Sequence, residues 1–274
     1  MNNTTLVFGC SGTVGLEFIH LIKENNILFY SRKKPTKLSK KLWRYIDLNK
    51  KIKKIPIKVN KIFFFASPYY KLNNLKKNNH EKELIWIKKI QKKIKTNFFI
   101  YLSSSSVYLE NHPVGNVKKK CEEYLVNNPN YNYLQIWRPY NLISNENSNL
   151  SDHFHNILIK KFCLEGKVSH QFYGSPNDER GYSSVKKFCK LIINKSNLTK
   201  NFLYDYGNSN TLKIKDISKI FKEIFDNKYK KKIKYSFRSK IANINTLERN
   251  KKTKYIDTKE NSSGILKKYY LLKI

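Results

Sequence analysis

The sequence predicts an α/β fold in which a doubly wound parallel sheet carries a smaller C-terminal lobe. Apolar runs alternate with amphipathic segments over most of the first 195 residues, which is typical of a parallel sheet covered by helices on both faces. A glycine-rich turn follows the first apolar run, and the alternation ends near Asn141. We therefore predict a sheet domain and a smaller lobe, formed by residues 1–141 with 182–210 and by residues 142–181 with 211–274.

The composition is that of a folded protein. Of the 274 residues, 40% are hydrophobic and 14% aromatic, enough for a sizeable core. No apolar run approaches the roughly 20 residues of a membrane-spanning helix, and the first residues lack the basic segment of a signal peptide, so we expect a cytoplasmic protein. No metal site is predicted, and four dispersed cysteines without a CxxC pair indicate reduced thiols: Cys10, Cys121, Cys163 and Cys189.

The formal net charge is +35, from 55 Lys and Arg against 20 Asp and Glu. Such an excess suggests a polyanionic partner such as RNA. The lysines are dispersed, however, and accompany many Asn and Ile residues, which is the pattern that an AT-rich genome produces. We favour the second explanation, and the runs at 50–54 and 228–240 are the best candidates for a basic patch.

The elements follow one another in a regular order. The strands predicted for the sheet are residues 5–9, 27–31, 44–48, 61–66, 98–103, 133–139 and 202–207. Helical spacing marks residues 13–25, 80–95, 115–127 and 182–194. The lobe is predicted to contain a helix at 153–165, a strand at 168–174 and a strongly amphipathic helix at 212–225.

The glycine turn indicates a nucleotide site. Gly9, Gly12 and Gly15 form a GxxGxxG array between the first strand and the first helix. Glycine allows the tight turn and a close approach to a pyrophosphate, and the N–H groups at the helix start attract the anion.

The end of the second strand indicates which nucleotide. A fold selective for NAD usually places an acid there, but this chain has Ser31, Arg32 and Lys33. Cations suit a 2′-phosphate, so we favour NADP(H) over NAD(H).

With these pieces placed, the sequence resembles the extended short-chain dehydrogenases/reductases, the family of nucleotide-sugar epimerases, dehydratases and reductases. The resemblance spans about residues 4–225. It rests on six segments in the family's order: VFGCSGTVG (7–15), IDL (46–48), FFFAS (63–67), YLSSSSVY (101–108), WRPYN (137–141) and RGYSSV (180–185).

The resemblance implies a Rossmann-like fold and a role for each matching residue. Ser104 and Lys118 match catalytic positions, and Ser105, Ser106, Asn141 and Arg180 match substrate positions. Dehydration is not expected, because Ser105 and Ser106 replace the Asp-Glu pair of the family's dehydratases. The implied cofactor site comprises Gly9, Ser11, Gly12, Thr13, Val14, Gly15, Arg32, Lys33, Asp47, Leu48, Ala66, Ser67, Lys118 and Pro139.

One position departs from the family. Its helix begins PYxxSK, where the tyrosine delivers a proton and the lysine lowers the pKa of that tyrosine; here Val114 stands in place of the tyrosine. Valine cannot move a proton, a form of help that typically contributes about 10²–10⁴-fold to the rate. Three explanations remain open: another group such as His112, Tyr108 or Tyr182 moves the proton, the protein is not catalytic, or the loop is shifted in the alignment.

The leading hypothesis is an NAD(P)-dependent epimerase or reductase of nucleotide sugars or related carbohydrates, as in polysaccharide biosynthesis. The alternative is a non-catalytic cofactor-binding or RNA-binding protein on the same fold. The resemblance also implies a homodimer through the helices at 80–95 and 115–127, although both helices carry many lysines.

Overall fold

The computed structural model describes residues 3–36, 38–52, 55–68, 81–109, 112–144, 154–238 and 254–274. The strands are β1 Thr5–Phe8, β2 Ile27–Ser31, β3 Trp43–Tyr45, β4 Lys58–Phe64, β5 Lys95–Leu102, β6 Tyr131–Pro139, β7 Asn141–Ile143, β8 Ser169–Tyr173, β9 Glu179–Ser184, β10 Phe202–Gly207, β11 Thr211–Lys213, β12 Lys234–Arg238 and β13 Lys254–Asp257. The helices are α1 Thr13–Leu21, α2 Lys82–Lys93, α3 Pro113–Asn127, α4 Phe154–Leu158, α5 Val185–Lys195, α6 Ile214–Tyr229 and α7 Ser262–Lys273. A 3₁₀ turn spans Ser105–Tyr108, and a π-helix, Ile159–Leu164, continues α4.

Eight parallel strands form the main sheet in the order β3-β2-β1-β4-β5-β6-β10-β13. The order runs outward from β1 in both directions, so a crevice opens between the carboxyl ends of β1 and β4, where ligands bind in open α/β sheets. The predicted doubly wound sheet is confirmed.

Helices cover both faces of the sheet because the strand residues alternate in direction. Ile62 and Phe64 point to the core that contains α2 and α3, whereas Phe63 points to the core that contains α1 and α5. The near-continuous apolar runs in the sequence follow from this burial on both faces.

The smaller lobe has a core of its own. Two small sheets, β11-β9-β7 and β12-β8, pack with α4, α6 and α7 around buried aromatic side chains that include Phe162, Phe221 and Tyr270. In the described part of the chain, no helix is long and apolar enough to cross a membrane.

The structure corrects several predicted boundaries. The helix predicted for 182–194 begins only at Val185, because Tyr182 and its neighbours form β9, which pairs with β7 and β11. β13 lies in the range assigned to the lobe, yet it pairs with β10 and extends the main sheet. The sequence did not predict the short strands β7, β11, β12 and β13 or the helix α7. Residue 80 of the predicted second helix, residue 153 of the helix predicted for 153–165 and parts of both basic runs lie outside the described residues.

Candidate functional site

The glycine turn is fixed by close backbone contacts. Gly9 has φ +85°, and a Cβ there would lie 2.5 Å from the backbone nitrogen of Ala66. A Cβ on Gly15 would lie 2.4 Å from the carbonyl oxygen of Gly9. Both positions therefore require glycine, the first for the turn and the second for the packing of α1 against it.

The N-terminus of α1 is open to a ligand. Gly12 is the N-cap residue, so no side chain caps the helix, and the first turn contains no acidic residue. The first N–H groups of a helix lack partners within the helix and favour an anion. This end of α1 faces the crevice beside β1 and β4.

A cavity of about 170 Å³ lies in this crevice. It brings together eight of the predicted cofactor residues: Gly9, Ser11, Gly12, Arg32, Asp47, Leu48, Ala66 and Ser67. The remaining predicted residues, Thr13, Val14, Gly15, Lys33, Lys118 and Pro139, do not line it. Six further residues of the wall are not among those that the family resemblance implied for the cofactor site: Tyr30, Ser31, Ile46, Asn49, Phe65 and Trp86.

Asn49 and Trp86 show how that wall is built. Asp47 Oδ1 accepts hydrogen bonds from the backbone and side-chain nitrogens of Asn49, at 3.0 and 3.1 Å. Trp86 Nε1 donates to Asn49 Oδ1 at 3.1 Å. Asn49 directly follows the IDL segment, so the sequence could have suggested it as part of the site. Trp86 reaches the wall from α2, which is distant in sequence, and no local pattern indicated it.

Ser31 is committed to internal hydrogen bonds at the end of β2. Its hydroxyl donates to Lys33 O at 2.5 Å and accepts from Trp43 Nε1 at 3.0 Å and Cys10 Sγ at 3.1 Å. A hydroxyl has one proton, so Ser31 has none left for a ligand. Of the cations at this strand end, Arg32 is the one that lines the cavity.

The serine loop follows β5. Ser104 caps the 3₁₀ turn, and its Oγ accepts from the backbone N–H of Ser106 at 3.1 Å and from the Ser106 hydroxyl at 3.0 Å. Two accepted hydrogen bonds use both lone pairs of Ser104 Oγ and leave its proton for donation. Gly115 allows α3 to pack closely against this loop, since a Cβ at this position would lie 2.0 Å from Ser106 O.

His112 caps α3 rather than standing free. Its Nδ1 accepts from the N–H of Gly115 at 3.2 Å, and burial lowers the pKa of this histidine from its ordinary 6.5. A neutral imidazole whose Nδ1 accepts carries its proton on Nε2. Neither nitrogen can then take up a proton while the cap is kept, so the geometry favours a structural role.

The two alternative tyrosines are also engaged. Tyr182 is 1% exposed and lies in the core of the lobe, where burial raises its pKa well above the ordinary value of 10. Tyr108 donates to both oxygens of the fully buried Asp205, at 2.8 and 2.9 Å, and accepts from Arg138 at 2.6 Å.

Arg138, near the end of β6, joins Tyr108 of the 3₁₀ turn to Glu122 of α3. Its guanidinium pairs with both oxygens of Glu122, which also accepts from Ser103. Burial lowers the pKa of Arg138, but the hydrogen bonds and the charge of Glu122 outweigh it and raise the pKa above its ordinary value. Arg138 belongs to the WRPYN segment that carries the family resemblance, and the structure places its charged guanidinium in this internal network.

Two of the predicted substrate residues, Asn141 and Arg180, lie close together in the small sheet β11-β9-β7. Asn141 pairs with Tyr182 across β7 and β9, and its Nδ2 donates to Gly181 O at 3.2 Å. Arg180 donates to Glu179 O at 2.8 Å and lies 3.9 Å from Asp178. Among the described residues, no group of three or more His, Cys, Asp and Glu side chains could hold a metal ion.

Lys118 lies in a buried cluster with α2. Its Nζ donates to Glu83 Oε1 at 2.6 Å and to Leu102 O at 2.9 Å. Glu83 was not predicted as part of the site, because its contact with Lys118 joins two helices that are distant in sequence.

No protein-family model and no curated protein matches this sequence. Solved structures do match its fold. A UDP-glucose 4-epimerase aligns with TM-score 0.70 and 15% identity over 98% of this chain and 96% of the other. A UDP-glucuronic acid 4-epimerase from Bacillus cereus, in complex with UDP-glucuronic acid and NAD, aligns with TM-score 0.69 and 15% identity over 98% and 99%. The chain has the fold of these enzymes.

A GDP-6-OMe-4-keto-L-xylo-heptose reductase from C. jejuni is similar too, with TM-score 0.66 and 14% identity over 100% of this chain and 99% of the other. Alignment over nearly the full length of each chain confirms the Rossmann-like sheet with a small C-terminal lobe. At such identities the likeness concerns the fold, and function has to be argued from the site.

Proposed function

We propose that this protein is an NAD(P)-dependent oxidoreductase or epimerase that acts on a nucleotide sugar. The cavity beside the glycine turn carries the proposal, because it gathers eight independently predicted cofactor residues at the crevice of the sheet. The open N-terminus of α1 suits a pyrophosphate, and Asp47 and Leu48 suit the adenosine half of a dinucleotide.

A bound nicotinamide would supply or accept a hydride at a sugar carbon. When the nicotinamide supplies the hydride, Ser104 would donate its hydroxyl proton to the sugar oxygen on which charge develops, and the donation is strengthened because Ser106 donates to Ser104 Oγ twice; in the oxidative direction the sugar hydroxyl would return its proton along the same path. As Ser104 gives up its proton, the Ser106 hydroxyl would pass its own proton to Ser104, and the partly exposed Ser106 would take a proton from solvent water. This relay needs neither a tyrosine at position 114 nor His112.

The solved structures with this fold guide the choice of substrate class. One is in complex with UDP-glucuronic acid and NAD and another with UDP-glucose and NAD. Arg180 and Asn141 stand together in the lobe, and the planar fork of an arginine suits a diphosphate. A nucleoside diphosphate sugar with a keto or a secondary hydroxyl group is the proposed substrate.

A panel of UDP-, GDP- and dTDP-linked sugars, with and without a keto group, tests this function, with NADPH absorbance reporting reduction and chromatography of the nucleotide sugars reporting epimerisation. We expect one nucleotide sugar either to be reduced with consumption of NADPH or to be converted to its epimer. The sugar alone and the nucleotide alone serve as controls. Cofactor binding without turnover of any panel member would contradict the proposed reaction.

We further propose that the protein prefers NADP(H) to NAD(H). Arg32 lines the cavity at the end of β2, where the acid that holds the ribose of NAD is absent, and Ser31 has no proton to offer. Replacing Arg32 with alanine should weaken NADPH binding by about 10-fold, because a hydrogen bond to a charged group is lost, and leave NADH binding within about twofold.

Titration of wild type and Arg32→Ala with both cofactors measures this ratio. Lys33→Ala is the matched control, since Lys33 is an adjacent cation that does not line the cavity. Equal weakening for NADPH and NADH in Arg32→Ala would refute the preference.

A non-catalytic cofactor-binding role is the second candidate. The observation that favours it is Val114, which stands where the family pattern, aligned on Pro113 and Lys118, would place a proton-donating tyrosine. This role predicts cofactor binding with neither NADPH consumption nor formation of an epimer from any nucleotide sugar, so the two readouts together separate the candidates.

A further inference from the structure

A buried carboxylate links the cofactor cavity to Lys118. Glu83, in the first turn of α2, is fully buried, and the side chain of Lys118 is 6% exposed. Glu83 Oε2 accepts from Ser67 Oγ at 2.7 Å, and Ser67 lines the cavity. Glu83 Oε1 accepts from Lys118 Nζ at 2.6 Å and from the Tyr101 hydroxyl at 2.8 Å. The Glu83 carboxylate therefore connects Ser67, which follows β4, with Tyr101 of β5 and Lys118 of α3.

The opposite charges of Glu83 and Lys118 stabilise the cluster. A buried ammonium group loses most of its hydration free energy, and a carboxylate partner with good hydrogen-bond geometry offsets that loss. Lys118 Nζ also lies 5.1 Å above the ring of Tyr101, which adds a favourable contact. Glu83 thus keeps a buried cation in one place.

The hydrogen bonds of Lys118 leave one of its N–H bonds for a further acceptor. An ammonium group has three N–H bonds, and Glu83 and Leu102 O accept two of them. In the described part of the chain no further oxygen accepts the third. Two fixed bonds set the direction of the third, so the pair prepares Lys118 to donate to one added acceptor.

We propose that Glu83 is a positioning residue that orients Lys118 and Ser67 together for the ribose hydroxyls of a bound dinucleotide. This inference rests on the proposed cofactor function and deepens it by naming the residue that organises this side of the site. Glu83 acts through Lys118 and through the cavity wall and does not itself face the cofactor.

Calorimetric titration of NADPH into the Glu83→Gln variant tests the proposal. Glutamine keeps the size of the side chain and still accepts from Ser67, but it removes the charge that orders Lys118. We expect cofactor affinity to fall by about 10-fold, the scale of one misplaced charge-assisted hydrogen bond. Glu81→Gln is the matched control, because Glu81 also pairs α2 with a lysine of α3, Lys120, yet both side chains are more than half exposed.

The same substitution made in a Lys118→Met variant distinguishes a positioning role of Glu83 from a purely structural one. In Lys118→Met, adding Glu83→Gln should leave cofactor affinity unchanged, since the lysine that it positions is gone. A purely structural contribution of Glu83 would lower affinity in both backgrounds and would overturn the proposal. Glu83→Asp serves where Glu83→Gln does not fold; its shorter side chain cannot span Ser67 and Lys118, and the same pair of backgrounds applies.

The outcomes distinguish the inference from the function beneath it. Wild type that binds no dinucleotide overturns both. Wild type that binds, with Glu83→Gln and Glu81→Gln equally tight, overturns the positioning role alone. A 10-fold loss in Glu83→Gln that vanishes in the Lys118→Met background supports both.

Discussion

Replacing Gly12 with valine should abolish cofactor binding while the protein remains folded. Gly12 has φ −83° and ψ 168°, a conformation that any residue adopts, and the nearest atom to an added Cβ is Gly9 O at 3.4 Å. The backbone therefore tolerates a side chain. The isopropyl group would occupy the place where the N–H groups of α1 meet a pyrophosphate. We expect at least about 100-fold weaker binding, the scale of several lost hydrogen bonds to a charged group.

Titration calorimetry and a thermal melt of the same sample measure both parts of this expectation. Gly15→Ala is the informative contrast, because its Cβ would lie 2.4 Å from Gly9 O and should lower the melting temperature. Binding by Gly12→Val as tight as that of wild type would show that the cofactor lies elsewhere.

The second large effect concerns stability. Replacing Arg138 with methionine should reduce the free energy of unfolding by about 3–5 kcal/mol, because Glu122 would be left charged and buried without its partner. The side chains of Arg138 and Glu122 are 12% and 8% exposed. The same change also removes the hydrogen bond from Arg138 to Tyr108 and so loosens the turn that follows Ser104.

Chemical denaturation of Arg138→Met and of wild type measures this difference in the free energy of unfolding. Lys120→Met is its control, since the exposed pair of Lys120 with Glu81 should contribute no more than about 1 kcal/mol. A difference between the two variants of less than about 1 kcal/mol would mean that the network around Glu122 does not stabilise the fold as described.

Local sequence patterns predicted the parts of the site that local geometry determines. The three glycines directly follow β1, and the contact of Gly15 with Gly9 O is local, so their spacing predicted both the turn and the cavity beside it, although Gly9 also packs against Ala66. The buried strands were equally clear, because burial on both faces produces continuous apolar runs. Polar contacts between distant elements left no such signal: Glu83 and Lys118 are joined across two helices, and Trp86 meets Asn49 across α2 and the loop after β3.

The lobe was harder to predict than the sheet because its strands are short. β7 and β11 have three residues each, and β9 follows a turn with polar residues that also suit a helix start. Pairing with β7 and β11 decides that Glu179–Ser184 is a strand, and α5 begins immediately afterwards. His112 shows a similar limit, since its sequence position suggested a proton carrier and the backbone uses its ring as a cap.

Titration of the purified protein with NADPH, NADH and a short single-stranded RNA at two salt concentrations tests the central claim. The account predicts cofactor binding that varies little with salt, NADPH tighter than NADH, and weak RNA binding. Absence of cofactor binding, together with RNA binding that falls steeply as salt rises, would contradict it and assign the high positive charge to a nucleic acid partner.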